Sequence, residues 1–149
     1  MDRTSLSDDA LLDLVQRQTL RYFWDFAHPV SALARERSDE RPRCGPDVVT
    51  TGGAGFGVMA IIAGVERAWI ERAAAVRRLL KAVRFLGRAD RYHGIFPHWL
   101  DGRSGATVPF SADDDGADLV ETSFLLMGLL TARQYFDRSD PREAELRSR

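Results

Sequence analysis

The chain has little of what usually makes chemistry easy to read. Among its 149 residues there is one cysteine, Cys44, so no intramolecular disulfide can form and the redox compartment stays open. Cys44 sits between Arg43 and Gly45 with no histidine beside it, and reads as incidental rather than as a catalytic thiol. Charge of one sign is also lacking. The 21 basic and 22 acidic residues leave a net −1, which gives neither nucleic acid nor an anionic membrane surface any electrostatic attraction. No apolar run approaches the roughly 20 residues of a membrane span. Met1-Asp2-Arg3-Thr4-Ser5 lacks the basic and apolar regions of a signal peptide, and the compartment stays open.

What is present is the mixture of a globular domain: 44% hydrophobic and 29% charged residues. The length suits one domain that buries about 70% of its unfolded surface. Helical spacing dominates. Ser7 is placed to cap a helix over residues 8–27, where Leu11, Leu14, Val15, Tyr22, Phe23 and Phe26 recur three and four apart before His28-Pro29. A polar segment over 30–51, with Pro42, Gly45 and Pro46, reads as a long surface loop. A second helix is expected over 56–68 and a third over 71–90, the latter with Val76, Leu79, Leu80, Val83 and Leu86 inside and arginines outside. Residues 91–116 form another long segment. A fourth helix over 117–137 is apolar almost all round, the pattern of a helix buried between neighbours. Asp140-Pro141 then starts a fifth, as N-cap and N1, and the chain ends two or three turns later, as though cut off.

Only the run 48–51 reads as strand. It leads into Gly52-Gly53-Ala54-Gly55-Phe56-Gly57, which invites a dinucleotide-binding assignment. G-x-G-x-x-G fails there, because the third glycine falls on Val58 or Ala60, and no βαβ alternation follows. The glycines are expected to allow a tight loop or a close backbone approach.

The most informative stretch is Ser111 to Thr122, with five acidic residues, Asp113, Asp114, Asp115, Asp118 and Glu121, ahead of an apolar helix. If the helix began at Asp114, then Asp114, Asp118 and Glu121 would project within roughly 60° of one another. Like charges so placed repel unless a cation, a shared proton or a polar ligand occupies the site. Capping is the competing explanation, with Asp115 as N-cap and Asp118 at N3. It does not reach Glu121. A calcium loop fails because its twelfth position would be Thr122.

Upstream, His93 and His98 lie five apart and could join the acidic cluster around a metal. With no third histidine or cysteine nearby, no dedicated metal site is expected. Phe96, His98 and Trp99 suit a sugar better, since aromatic faces pack on C–H groups while polar tips meet hydroxyls. Ordinary core packing explains Phe96 and Trp99 equally well. Arg103 and Asp101 read as a surface pair of little worth.

Four blocks now carry a resemblance: Gln18-Thr19-Leu20-Arg21-Tyr22-Phe23-Trp24-Asp25, Thr51-Gly52-Gly53-Ala54-Gly55-Phe56-Gly57-Val58-Met59-Ala60, Tyr92-His93-Gly94-Ile95-Phe96-Pro97-His98-Trp99, and Asp114-Asp115-Gly116-Ala117-Asp118-Leu119-Val120-Glu121-Thr122. In this order the chain resembles the opening of the glycoamylase-like family, which includes bacterial endo-β-1,2-glucanases and a domain of cyclic β-1,2-glucan synthases. The resemblance implies an all-α fold, a partial (α/α)6 toroid of four helices plus the start of a fifth, with 1–149 as the N-terminal third of a single domain. It places the helix from Ala117 in the inner ring and the one from Glu71 in the outer ring.

The resemblance also implies glycoside hydrolysis on a β-glucan, with Asp118, Glu121 and Asp114 as cleft carboxylates and the first two most important. His98, Trp99, Phe96 and His93 would bind substrate, without metal or cofactor. A further carboxylate is expected beyond Arg149, so the chain alone is expected to be inactive. Two alternatives stay open: a transglycosylase domain of a cyclic glucan synthase, and a non-catalytic helical carbohydrate-binding or remnant module. An open toroid would also expose apolar faces and self-associate.

Overall fold

A computed structural model describes residues 6–37 and 45–149. Cys44 lies outside the described residues. In chain order the elements are α1 (Asp8–Trp24), β1 (Val48–Thr50), α2 (Thr51–Glu66), α3 (Arg72–Leu86), β2 (Trp99–Asp101), β3 (Thr107–Val108), α4 (Leu119–Tyr135) and α5 (Pro141–Ser148). The mostly helical architecture matches the periodicity of the sequence. The small sheet was not expected beyond its first strand.

Ser7 caps α1 as its spacing suggests, accepting from the Ala10 amide. The helix stops at Trp24 rather than Ala27. Only Leu20 of α1 is buried, while Leu11, Leu14, Val15 and Phe26 of the expected stripe are exposed. The loop after α1 is anchored by His28, which is fully enclosed. Its Nδ1 faces the amides of Val30 and Ser31, each at 3.3 Å, so this nitrogen accepts. Its Nε2 therefore donates to Asp47 Oδ1 at 3.1 Å. That bond, ahead of Arg103, holds the Asp47 carboxyl below its ordinary range. Arg103 Nε reaches Asp47 at 3.0 Å, not Asp101. Asp101 instead accepts from the amides of Arg103 and Ser104 and closes the β2–β3 turn.

The strands form an antiparallel sheet in the order β1-β2-β3, with Val49 opposite Leu100 and Trp99 opposite Val108. The expected helix at Phe56 begins at Thr51, five residues earlier, so the glycine run is helical. Intrinsic propensity argues against this, and close packing overrides it. A Cβ on Gly55 would collide with the backbone of Phe124 and Leu125, and one on Gly128 with the backbone of Gly55. α2 and α4 thus meet main chain to main chain.

One core packs Val58 and Ile61 of α2, Val76 and Leu79 of α3, Phe136 and Leu146. A second joins Val49, Ala54, Phe85, Phe96, Leu100 and Leu125 around the sheet. α4 is not enclosed on all sides. Thr122, Leu125, Gly128 and Ala132 are its buried stripe, whereas Leu119, Val120, Phe124, Leu126, Met127 and Leu130 are exposed, beside Phe56 and Met59 of α2. No described helix is long and apolar enough to cross a membrane.

Asp140 and Pro141 start α5 as read from the sequence. Its position is set by Glu143, 4% exposed, which receives two parallel bonds from Arg72 at 2.8 and 2.9 Å and one from the Arg138 amide. Arg72 also lies over the rings of Tyr135 and Phe136.

Two outcomes test this packing. Gly128→Ala should destabilise the chain by about 3 kcal/mol, since neither backbone can retreat, read as a lower urea midpoint at unchanged slope. The Arg72 bond, as the largest cause, holds Glu143 below its ordinary 4.5. A depressed carboxyl contributes stability that is complete above 4.5 and is lost as pH falls through the lower folded value. Glu143→Gln should therefore flatten the acid limb of the stability-against-pH curve below that point, and an unchanged limb would contradict the assignment.

Candidate active site

The acidic stretch folds differently from the helix supposed for it. Residues 114–118 are not helical. Ser111 and Asp114 close a turn through their backbones, and α4 starts only at Leu119. The N-cap is Asp118, not Asp115, and Asp113 and Asp115 stand exposed in the loop. Asp118 Oδ1 accepts from the Glu121 amide at 2.9 Å, while its own amide donates to Phe96 O at 2.8 Å. The missing helical turn does not disperse the group, because the loop folds Asp114 back toward His98.

His98 is the centre of the cluster. Its Nδ1 lies 2.9 Å from Asp118 Oδ2 and 4.0 Å from Asp114 Oδ2. The ring stacks on Phe110 at 4.1 Å and 26°, and meets the edge of Trp99 at 5.6 Å. The peptide carrying His98 is clamped by two threonines that sequence reasoning did not single out. Thr51 donates its hydroxyl to Pro97 O at 2.6 Å and its amide to His98 O at 3.1 Å. Thr122 accepts from the Phe96 amide at 2.9 Å. Both are buried, and both stand inside the quoted sequence blocks, the one signal that marked them.

Glu121 crosses from α4 to the start of α2. Its Oε2 accepts from the Gly52 amide at 2.8 Å and from the Thr50 hydroxyl at 3.3 Å. Thr50 does not cap α2 with its own side chain, so Glu121 performs that task from another helix.

The aromatic candidates separate. Phe96 is 7% exposed and packs in the second core, with Arg91 over its ring, so core packing is its role here. Trp99 is buried on β2 with its ring 4.7 Å from Phe110. Phe110, in the same segment, is 47% exposed and presents an open aromatic surface beside His98. His93 sits in the exposed Tyr92–Ile95 turn with φ +50°, against Tyr92, and is not among the groups gathered at His98.

Single ligand atoms from His98, Asp114 and Asp118 lie within 4.8 Å of one another, a set a divalent cation could use. Both Asp118 oxygens are already hydrogen-bonded, so a cation would have to displace one partner. A cavity of about 480 Å³ lies elsewhere, among Leu79, Leu86, Phe96, Leu126, Leu130 and Leu146, and no described Asp or Glu side chain lines it.

Helices meeting at their N-termini, with long loops that gather carboxylates, an imidazole and an open aromatic ring at one end, are the construction of glycoamylase-like (α/α)6 enzymes. The chain is similar to enzymes of that kind. It is 49% identical over 143 residues to an exo β-1,2-glucooligosaccharide sophorohydrolase (non-reducing end) of Parabacteroides distasonis, across 95% of this chain and 19% of the relative. The crystal structure of an endo-β-1,2-glucanase from Chitinophaga pinensis, in complex with sophorotriose and glucose, matches with TM-score 0.93 and 49% identity over 97% of this chain and 35% of that one. A β-1,2-glucanase structure from Parabacteroides distasonis matches with TM-score 0.89 and 49% identity, over 96% of this chain and 20% of that one. The chain thus spans about a fifth of the curated relative and, at 35%, about a third of the Chitinophaga structure. No protein-family model matches it.

The Glu121 contact yields a direct test. A Cβ on Gly52 would fall 2.6 Å from Glu121 Oε2. Gly52→Ala should swing that carboxylate off α2 and cost about 1–3 kcal/mol of stability, as a helix-start amide loses its acceptor. Glu121→Ala should add little on top of it. Fully additive losses would mean that the two groups do not depend on each other.

Proposed function

We propose that this chain forms the carboxylate-bearing wall of a β-1,2-glucan-hydrolysing site, as one part of a single glycoamylase-like domain. The convergence of Asp114, Asp118 and His98 beside the open face of Phe110 carries the reading. Hydrolysis of a glycosidic bond needs one carboxyl group to protonate the leaving oxygen and another to activate water or attack the sugar. Asp114 and Glu121 suit contact with substrate. The Asp114 carboxylate accepts no hydrogen bond among the described residues, and Glu121 binds protein through Oε2 alone. Phe110 offers the apolar face of a sugar something to pack on.

Three features support this reading over its alternatives. The relatives are named as glucanases or a sophorohydrolase, which favours hydrolysis over transglycosylation. Their identity of 49% extends across almost the whole chain, which favours an active lineage over a mere structural module. The exposed apolar face of α4 and α2 is where further helices of a toroid would pack.

The test is a chimera in which this chain replaces its counterpart in the Chitinophaga enzyme. The chimera should release new reducing ends from β-1,2-glucan, whereas the 149-residue chain alone should not. Glu121→Gln in the chimera should lower kcat/KM on the order of 10²- to 10⁴-fold. A folded chimera without turnover, or one indifferent to Glu121→Gln, would overturn the proposal.

A further inference from the structure

The surroundings of His98 determine which of its nitrogens carries the proton. Nδ1 lies 2.9 Å from Asp118 Oδ2, and an ionised carboxylate can only accept, so Nδ1 is the donor. Asp114 Oδ2, at 4.0 Å from the same nitrogen, favours the same arrangement. Nε2 has no hydrogen-bond partner among the described residues. Phe110 on one face and Trp99 at the edge hold the ring in this orientation. Asp118 is itself immobilised: Oδ1 accepts from the Glu121 amide, Oδ2 faces His98, and its own amide is bonded to Phe96 O. With both oxygens engaged, it is poorly placed to exchange a proton with a sugar.

We infer that Asp118 is a positioning residue that acts through His98. It holds the imidazole as the Nδ1–H tautomer, so that Nε2 is an acceptor for a hydroxyl of a bound sugar. The inference rests on the glucan-hydrolase reading and deepens it by giving Asp118 a role distinct from those of Asp114 and Glu121. Asp114, Glu121 and the Nε2 lone pair together present acceptors to the hydroxyls of a sugar.

Asp118→Asn isolates the effect. Asparagine is as good an N-cap as aspartate, so its carbonyl oxygen keeps the Glu121 amide and α4 stays intact. Its NH₂ then faces Nδ1 of His98 and donates, which drives the imidazole proton to Nε2. Long-range proton–nitrogen NMR of the ¹⁵N-histidine-labelled 149-residue chain, at about pH 8 to favour the neutral ring, reads this directly. His98 should be Nδ1–H in the parent and Nε2–H in Asp118→Asn, while Asp114→Asn keeps the parent pattern. His28, whose Nε2 donates to Asp47, supplies the opposite tautomer in the same spectrum.

An Nε2–H His98 in the parent, or no reversal in Asp118→Asn, overturns the inference. In the chimera, Asp118→Asn and His98→Ala should each lower kcat/KM about 10- to 100-fold, the effect of one mispaired, partly buried hydrogen bond. The double variant should be no worse than either single one, and losses that multiply would also overturn the inference. An inactive chimera would sink the hydrolase reading and leave the tautomer result standing.

Discussion

Contact between the main chains of α2 and α4 is the constraint from which the rest of the molecule follows. With glycine at 55 and 128, each helix reaches the other's backbone, a separation that any side chain would forbid. At that distance the two N-termini lie side by side, and Glu121 of one helix can cap the other at Gly52. The 96–98 peptide is then gripped by Thr51 on one side and Thr122 on the other. Two helix N-termini each bring a partial positive charge to the same place. Asp118 and Glu121 each accept from an amide at a helix start, which offsets part of the repulsion that their spacing alone would imply.

Imidazole–carboxylate pairing occurs twice among the described residues, to opposite ends. His28 and Asp47 are joined through Nε2 with the imidazole sealed from solvent, and the backbone amides of Val30 and Ser31 consume its other nitrogen. Nothing is left over to meet a ligand, so this pair fastens the loop after α1 to the sheet. His98 and Asp118 are joined through Nδ1 near the surface, and the second nitrogen has no protein partner among the described residues. The same two residue types make a fastening in one case and leave an unclaimed nitrogen in the other. The difference lies in which atoms the backbone has already claimed.

Helices were legible because burial of one face imprints a 3.6-residue period, which α3 shows without ambiguity, whereas α5 was legible from its Asp140 cap and Pro141. β2 and β3 were not, since strands of three and two residues are too short to display alternation. The start of α2 was misplaced because glycine disfavours helices locally, while the partner that demands it, α4, lies some 70 positions away in sequence. The acidic motif announced the site, yet its geometry could not be inferred. Asp114 joins Asp118 through a folded turn and the shared neighbour His98, not through a helix face. Phe96 and Phe110 look alike in sequence, and only the sheet register and the bond to Thr122 send one inward and leave the other open.

Crowding was the sequence-level reason to expect unequal carboxylates, and the structure replaces it with a different one. The three acids are distinguished by how many of their acceptor positions the protein occupies. Asp118 has both oxygens engaged, Glu121 has one, and Asp114 has none within hydrogen-bond distance among the described residues. A fully engaged carboxylate is stiff and serves to orient its partners. One with free lone pairs can accept from water or from a hydroxyl without first breaking a bond to the protein. The gradient from Asp118 through Glu121 to Asp114 therefore runs from scaffold to surface, and it sets the order in which these groups are free to accept a further hydrogen bond.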